Sequence, residues 1–138
     1  MEILNQGKIS DFFHFDEELL GEGINKVLRG INIKSGEEVA IKIINTKEMG
    51  PVDQQYLFKE IEILTEVSHP NIVRLIEVFE DDNFYLVFEL MKGGTFSQMI
   101  AEKGFLSEED AANLILPIID AICLCHELGI THRDLKVI

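Results

Sequence analysis

Basic residues are scarce in this sequence: 12 lysines and arginines stand against 25 aspartates and glutamates, a formal charge of −13. A surface of that sign repels polyanions, which argues against nucleic acid or an anionic membrane as a broad-surface partner. Cysteine is scarcer still. Cys123 and Cys125 are the only two, and on a helix they point in different directions. Neither a disulfide framework nor a metal site is expected, and both read as core thiols in a reducing, intracellular compartment. Long hydrophobic runs are missing too: the longest, Leu114 to Cys125, contains Pro117 and Asp120 and is too short to span a bilayer. Met1-Glu2-Ile3-Leu4-Asn5 lacks the basic-then-apolar order of a secretory signal. There is no internal repeat and no low-complexity segment. What remains is a chain of 138 residues, 46% of them hydrophobic, which suits one folded domain.

The feature that needs explaining is a lysine inside the run Val39-Ala40-Ile41-Lys42-Ile43-Ile44. β-branched residues with a period of two read as a strand, with Val39, Ile41 and Ile43 on one face and Ala40, Lys42 and Ile44 on the other. Burying an ammonium group costs several kcal/mol unless it is paired. Lys42 is therefore expected to have an anionic partner, a ligand, or both.

The elements around it form a simple order. Phe12 to Leu20 reads as a strand entering a turn at Gly21-Glu22-Gly23, Val27 to Ile33 as its return, and Ser35-Gly36 as the turn into the lysine strand, an antiparallel meander. After Gly50-Pro51, the residues from Asp53 to Val67 have helical spacing, with Leu57, Ile61 and Leu64 on one stripe and Glu60 at its edge. Glu60 is either the buried partner of Lys42 or a member of a solvated flank with Glu62 and Glu66. Ile72 to Phe79 and Phe84 to Leu90 read as two more strands around Glu80-Asp81-Asp82-Asn83. Beyond Gly93-Gly94 the pattern turns helical. Ser107 and Asp110 suggest a cap, Ala111, Leu114, Ile115, Ile118, Ile119 and Ile122 follow at helical spacing, and Gly129 ends the helix. Pro117 is expected to kink it or fray the preceding turn.

In that order the motifs resemble the protein kinase family over almost the whole sequence. Gly21-Glu22-Gly23 with Leu28 resembles the glycine-rich loop, Val39-Ala40-Ile41-Lys42 the lysine strand, and Glu60 the glutamate of helix C. His69-Pro70-Asn71-Ile72-Val73 and Leu86-Val87-Phe88-Glu89 resemble the strand entry and hinge, and His132-Arg133-Asp134-Leu135-Lys136 the catalytic loop. The resemblance implies an α+β, protein-kinase-like fold. Residues 1–90 would be a small lobe with a five-stranded antiparallel sheet and helix C, 91–94 a hinge, and 95–138 the first helices of an incomplete large lobe. It also implies an ATP-dependent serine/threonine kinase acting on protein hydroxyls, since Lys136 resembles the serine/threonine branch; the flavour is similar to the calcium/calmodulin-dependent groups.

Residue by residue, the resemblance implies that Lys42, held by Glu60, meets the α- and β-phosphates, with backbone N–H groups at Gly21 and Gly23 approaching them. Leu20, Leu28 and Ala40 would close on the adenine, Phe88 would be the gatekeeper, and the backbones of Glu89 and Met91 would bond the base. Leu64, Leu75 and His132 match the apolar column that joins the lobes. Asp134 would accept the substrate's hydroxyl proton, and Arg133 would meet a phosphorylated activation loop.

Three departures limit the reading. Asn25 stands where relatives carry an aromatic and Lys26 where they carry the third glycine, so Lys26 is expected to reach the phosphates directly. Thr95 replaces a glutamate that in many relatives meets a basic substrate residue. Val137-Ile138 replace Pro-Glu-Asn, and the metal-binding asparagine, Asp-Phe-Gly and activation loop do not occur. The sequence therefore reads as the first half of a kinase domain. No protein ligand for Mg²⁺ is expected, transfer activity should be negligible, and the helix over 111–128 should expose an apolar patch prone to association. The rival readings are a non-catalytic nucleotide-binding or protein-interaction module, and an incomplete gene product.

Overall fold

The computed structural model describes residues 3–22, 25–47 and 49–136. They form two compact units, Met1–Glu66 with Val73–Leu90, and Val67–Ile72 with Met91–Ile138.

The first unit is a sheet with a helix on one face. Its strands are β1 (Leu4–Asn5), β2 (Phe13–Glu22), β3 (Lys26–Asn32), β4 (Glu38–Ile44), β5 (Leu75–Glu80) and β6 (Phe84–Glu89), in the order β1-β5-β6-β4-β3-β2. The five expected strands are present and antiparallel. β1 adds a sixth, parallel to β5 with Leu4 opposite Val78, and makes the sheet mixed. Two residues of strand carry almost no alternation, so the pattern of the sequence does not reveal β1.

The lysine strand β4 lies between β6 and β3, and its two faces feed two separate clusters. Val39 and Ile41 pack with Ile9, Phe13, Phe79, Tyr85 and Val87. Ile44 packs on the other side with Leu57, Ile61, Leu75, Val78, Phe84 and Leu86. Leu57 and Ile61 come from α1 (Pro51–Glu66), so this is the helix-covered face. The opposite face is closed by Phe13 and by Ile9 of a short 3-10 turn, Ile9–Asp11. Both faces are buried, which is why β4 reads as a continuous apolar run.

α1 starts at Pro51, two residues before the expected Asp53, because the fixed φ of proline suits the first helical position. Asp53 reaches back to accept the Gly50 N–H at 3.1 Å, and Gln54 N donates to Gly50 O.

The second unit holds α2 (Phe96–Lys103) and α3 (Glu108–Glu127). Thr95 caps α2 through a reciprocal pair, Gln98 N to Thr95 Oγ1 and Thr95 N to Gln98 Oε1. Ser107 caps α3 by accepting from Asp110 N at 3.0 Å. α3 runs unbroken through Pro117, so the turn before the proline does not fray. The two thiols differ: Cys123 is exposed and Cys125 half-buried, which corrects the expectation of two core cysteines. Ala121 is the buried residue of α3; position 125 is one turn on from it, whereas 123 lies on the opposite side. Ile115, Leu116, Ile119 and Leu128 are exposed. No helix among the described residues is long and apolar enough to cross a membrane.

Candidate functional site

Register decides which side chains share a face, because residues directly opposite in a ladder point the same way. Lys42 lies opposite Leu86 on β6 and Val27 on β3; Ala40 lies opposite Phe88 and Arg29. Leu86 belongs to the cluster under α1, and Phe88 packs against it. The face that carries Lys42 therefore also carries Ala40, Phe88 and Val27, with Gly21 of β2 opposite Val27.

From this face Lys42 meets α1. Its Nζ donates to Glu60 Oε1 at 3.0 Å, across 18 residues of sequence. The pairing of Lys42 with Glu60 is thus present, and Glu60 makes it from the solvated flank of the helix. The burial expected for it is not present. The Lys42 side chain is 26% exposed and that of Glu60 50%, and no charged side chain among the described residues is buried. Glu60 precedes the buried Ile61 by one position, which sets it at the rim of the packed stripe, where water reaches it.

Two other expectations move. Leu28 is opposite Ile41 and Leu19, on the face away from Lys42, so it does not share a surface with Ala40. Val27 does. The hairpin fixes this: Asn32 N donates to Glu37 O at 2.8 Å across the Ser35-Gly36 turn, and stepping outward one residue on each strand from Asn32 and Glu37 brings Val27 to Lys42. Counting from the glycines, one residue out of step with this register, selects Leu28; counting back from the turn would have found Val27. The same register sets Lys26 opposite Ile43, again away from Lys42, which overturns the idea that Lys26 reaches phosphates bound beside Lys42.

Leu20 is the extra residue of a bulge between the pairs Leu19–Leu28 and Gly21–Val27, and it is exposed. Gly21 lies within β2 rather than in a turn, and Gly23 lies outside the described residues. Glu89 is tied to Arg74 twice: its N–H donates to Arg74 O at 3.1 Å, and its Oε1 accepts from Arg74 N at 2.7 Å.

In the second unit, Met91 is exposed. The segment after α1 is fastened by His69, whose Nδ1 accepts from Asn71 N at 3.1 Å while Nε2 faces Asp120 Oδ2 of α3 at 3.1 Å. With Nδ1 accepting, the proton is on Nε2 and is donated to Asp120. Further along, Arg133 has a φ of +64°, the left-handed region that non-glycine residues seldom occupy and that gathers at functional sites. This turn brings Asp134 N to His132 Nδ1 at 3.3 Å and Lys136 Nζ to Asp134 Oδ2 at 2.9 Å. The Lys136 ammonium holds the Asp134 carboxyl below the usual carboxylate range by hydrogen bond and charge, with a smaller push from His132. Asp134 is exposed. Among the described residues no group of three or more His, Cys, Asp or Glu could hold a metal ion.

The first unit thus carries a strand lysine paired to a helix glutamate, and the second an exposed aspartate beside the left-handed Arg133. The protein kinase domain family matches residues 14–137. The chain belongs to the protein kinase family. It is 42% identical over 131 residues to a probable myosin light chain kinase of Dictyostelium discoideum, covering 94% of this chain and 33% of that protein. Identity is also 42% over 130 residues to myosin light chain kinase A of the same organism, of which 44% is covered. The calcium/calmodulin-dependent protein kinase type II of Caenorhabditis elegans is likewise 42% identical over 130 residues, with 18% covered. The chain thus spans less than half the length of these curated relatives.

Proposed function

We propose that these residues supply the nucleotide-binding lobe and the first part of the catalytic lobe of an ATP-dependent serine/threonine protein kinase. The lobes would divide as 1–90, a hinge at 91–94, and 95–138. The observation that carries this is the 3.0 Å pair between Lys42 and Glu60, which holds a positive charge on the same sheet face as Ala40, Phe88 and Val27. Bound ATP would supply the phosphoryl group. Lys42 would hold its α- and β-phosphates, oriented by Glu60, and Val27, Leu20 and Ala40 would lie along the base with Phe88 behind it. Any contact of Glu89 with the base runs through its carbonyl, since its N–H donates to Arg74, and Met91 would offer its backbone beside it.

Asp134, with Arg133 next to it, would take the hydroxyl of a serine or threonine on a protein substrate. A carboxylate held below its usual range is a weak base at neutral pH, so Asp134 orients that hydroxyl more than it deprotonates it. The resemblance implies that magnesium would be held by an asparagine and an Asp-Phe-Gly segment that these 138 residues do not include. A polypeptide of these 138 residues is therefore proposed to bind ATP without transferring phosphate, acting as a nucleotide-binding module. Thermal unfolding with and without ATP, each with and without Mg²⁺, tests this: ATP should raise the midpoint in the parent chain and not in Lys42→Ala. Absence of any shift in the parent under both conditions rejects nucleotide binding, and transfer to a serine peptide rejects the second part.

A further inference from the structure

Lys26 was expected to serve the nucleotide, yet the register turns it to the other face of the sheet. There it lines a cavity of about 360 Å³ with Asn25, Ile43, Asn45, Lys47 and Asn83. The composition of this cavity is unlike that of the chain. In a sequence with 12 basic residues among 138, its described walls hold two lysines and three asparagines. Lys26 is exposed near the open end of the β2–β3 ladder, opposite Glu22.

The walls are also braced. Asn45 Oδ1 accepts from Lys47 N at 3.0 Å, which fixes the turn after β4 and leaves the Asn45 amide as a donor. Thr46 Oγ1 donates to Asp82 O at 3.4 Å, and Asp81 N donates to Asn83 O at 3.0 Å, tying that turn to the β5–β6 turn. The nearby Asp82 carboxylate is engaged by Tyr85 Oη at 2.6 Å.

We propose that this cavity is an anion site for a phosphate monoester, distinct from the nucleotide site on the opposite face. Lys26 and Lys47 supply the charge, and the carboxamides of Asn25, Asn45 and Asn83 supply further donors. Two ammonium groups suit a dianion, whose oxygens accept several charge-assisted hydrogen bonds at once. The size falls in the range of small-ligand sites, about 300–1,000 Å³. A lone ammonium on this acidic surface would serve as well for solubility; the convergence of two on one braced cavity is what points to a ligand.

Inorganic phosphate titrated into the full chain, followed by amide NMR at constant ionic strength with chloride as the control, tests this. The amides of Lys26, Asn45, Lys47 and Asn83 should shift, and should shift equally in Lys42→Ala. Lys26→Ala/Lys47→Ala should weaken binding about tenfold or more, as expected for lost hydrogen bonds to a charged group, while Lys34→Ala/Lys103→Ala should leave it unchanged. Perturbation confined to Gly21, Val27 and Lys42, or full binding in the Lys26/Lys47 variant, overturns the proposal. A phosphoserine peptide binding more tightly than inorganic phosphate identifies the source as a phosphorylated protein segment; equal affinity identifies a free phosphate.

Discussion

Val27 stands directly opposite Lys42 across β3 and β4, and Leu28 stands opposite Ile41. One position on β3 therefore separates a side chain on the Lys42 face from one on the face of Val39 and Ile41.

That distinction predicts divergent phenotypes. Val27→Ala should weaken ATP binding several-fold with little change in stability, because it trims the surface beside Ala40. Leu28→Ala should instead lower the urea midpoint, by an amount equivalent to about 1–3 kcal/mol for a half-buried leucine, with ATP affinity kept. Isothermal titration and urea unfolding of both variants decide the matter; the reverse assignment of effects would mean that the register differs in solution.

Glu60 predicts a second contrast. Because both partners of the Lys42–Glu60 pair are partly exposed, a double-mutant cycle on unfolding should give a coupling of only about 0.2–1 kcal/mol. Nucleotide binding should respond more strongly, since removing Glu60 frees the Lys42 ammonium to wander from the phosphates. A stability coupling of several kcal/mol would show that the pair is buried in solution.

Much of this was legible in the sequence. The period of two in β4 assigns Val39 and Ile41 to one face and Lys42 to the other, and the helical stripe of Leu57 and Ile61 sets Glu60 at its edge, because burial writes periodicity directly. The extent of exposure at Glu60 was not legible, since a rim position and a buried one have the same spacing. The faces of Leu28 and Lys26 were lost for a different reason: a shift of one residue in register reverses every side chain, and family spacing counted from the glycines does not fix it, whereas the hairpin turn does. β1 was invisible because two residues carry no pattern.

Gly30 is a position where no side chain fits. A Cβ there would collide with Ile41 Cδ1 and lie 3.2 Å from Val39 Cγ2, and Ile41 is fully buried. Gly30→Ala should destabilise by about 1–3 kcal/mol through overpacking. Ile41→Val removes the Cδ1 methyl and alone should cost about 0.5–1.5 kcal/mol. Combined, the two should cost less than their sum, as a shared clash requires. Additive losses in urea unfolding would place the strain elsewhere.

Tyr85 sets the alkaline behaviour of the sheet. Burial raises its phenol above the ordinary 10.0, and donation of its proton to Asp82 Oδ1 at 2.6 Å raises it further. The folded state thus holds this proton more tightly than the unfolded chain. The stabilisation it gives is complete below pH 10 and is lost as pH rises through the folded value. Tyr85→Phe should cost about 0.5–1.5 kcal/mol at neutral pH for the missing hydrogen bond. Above pH 10 the parent loses stability that the variant never had, so the gap between their urea midpoints should narrow. The chain has two tyrosines, and tyrosinate absorbance in Tyr56→Phe reports Tyr85 alone. A midpoint at or below 10.0 in that variant, or a gap that widens in alkali, would contradict a buried phenol bonded to Asp82.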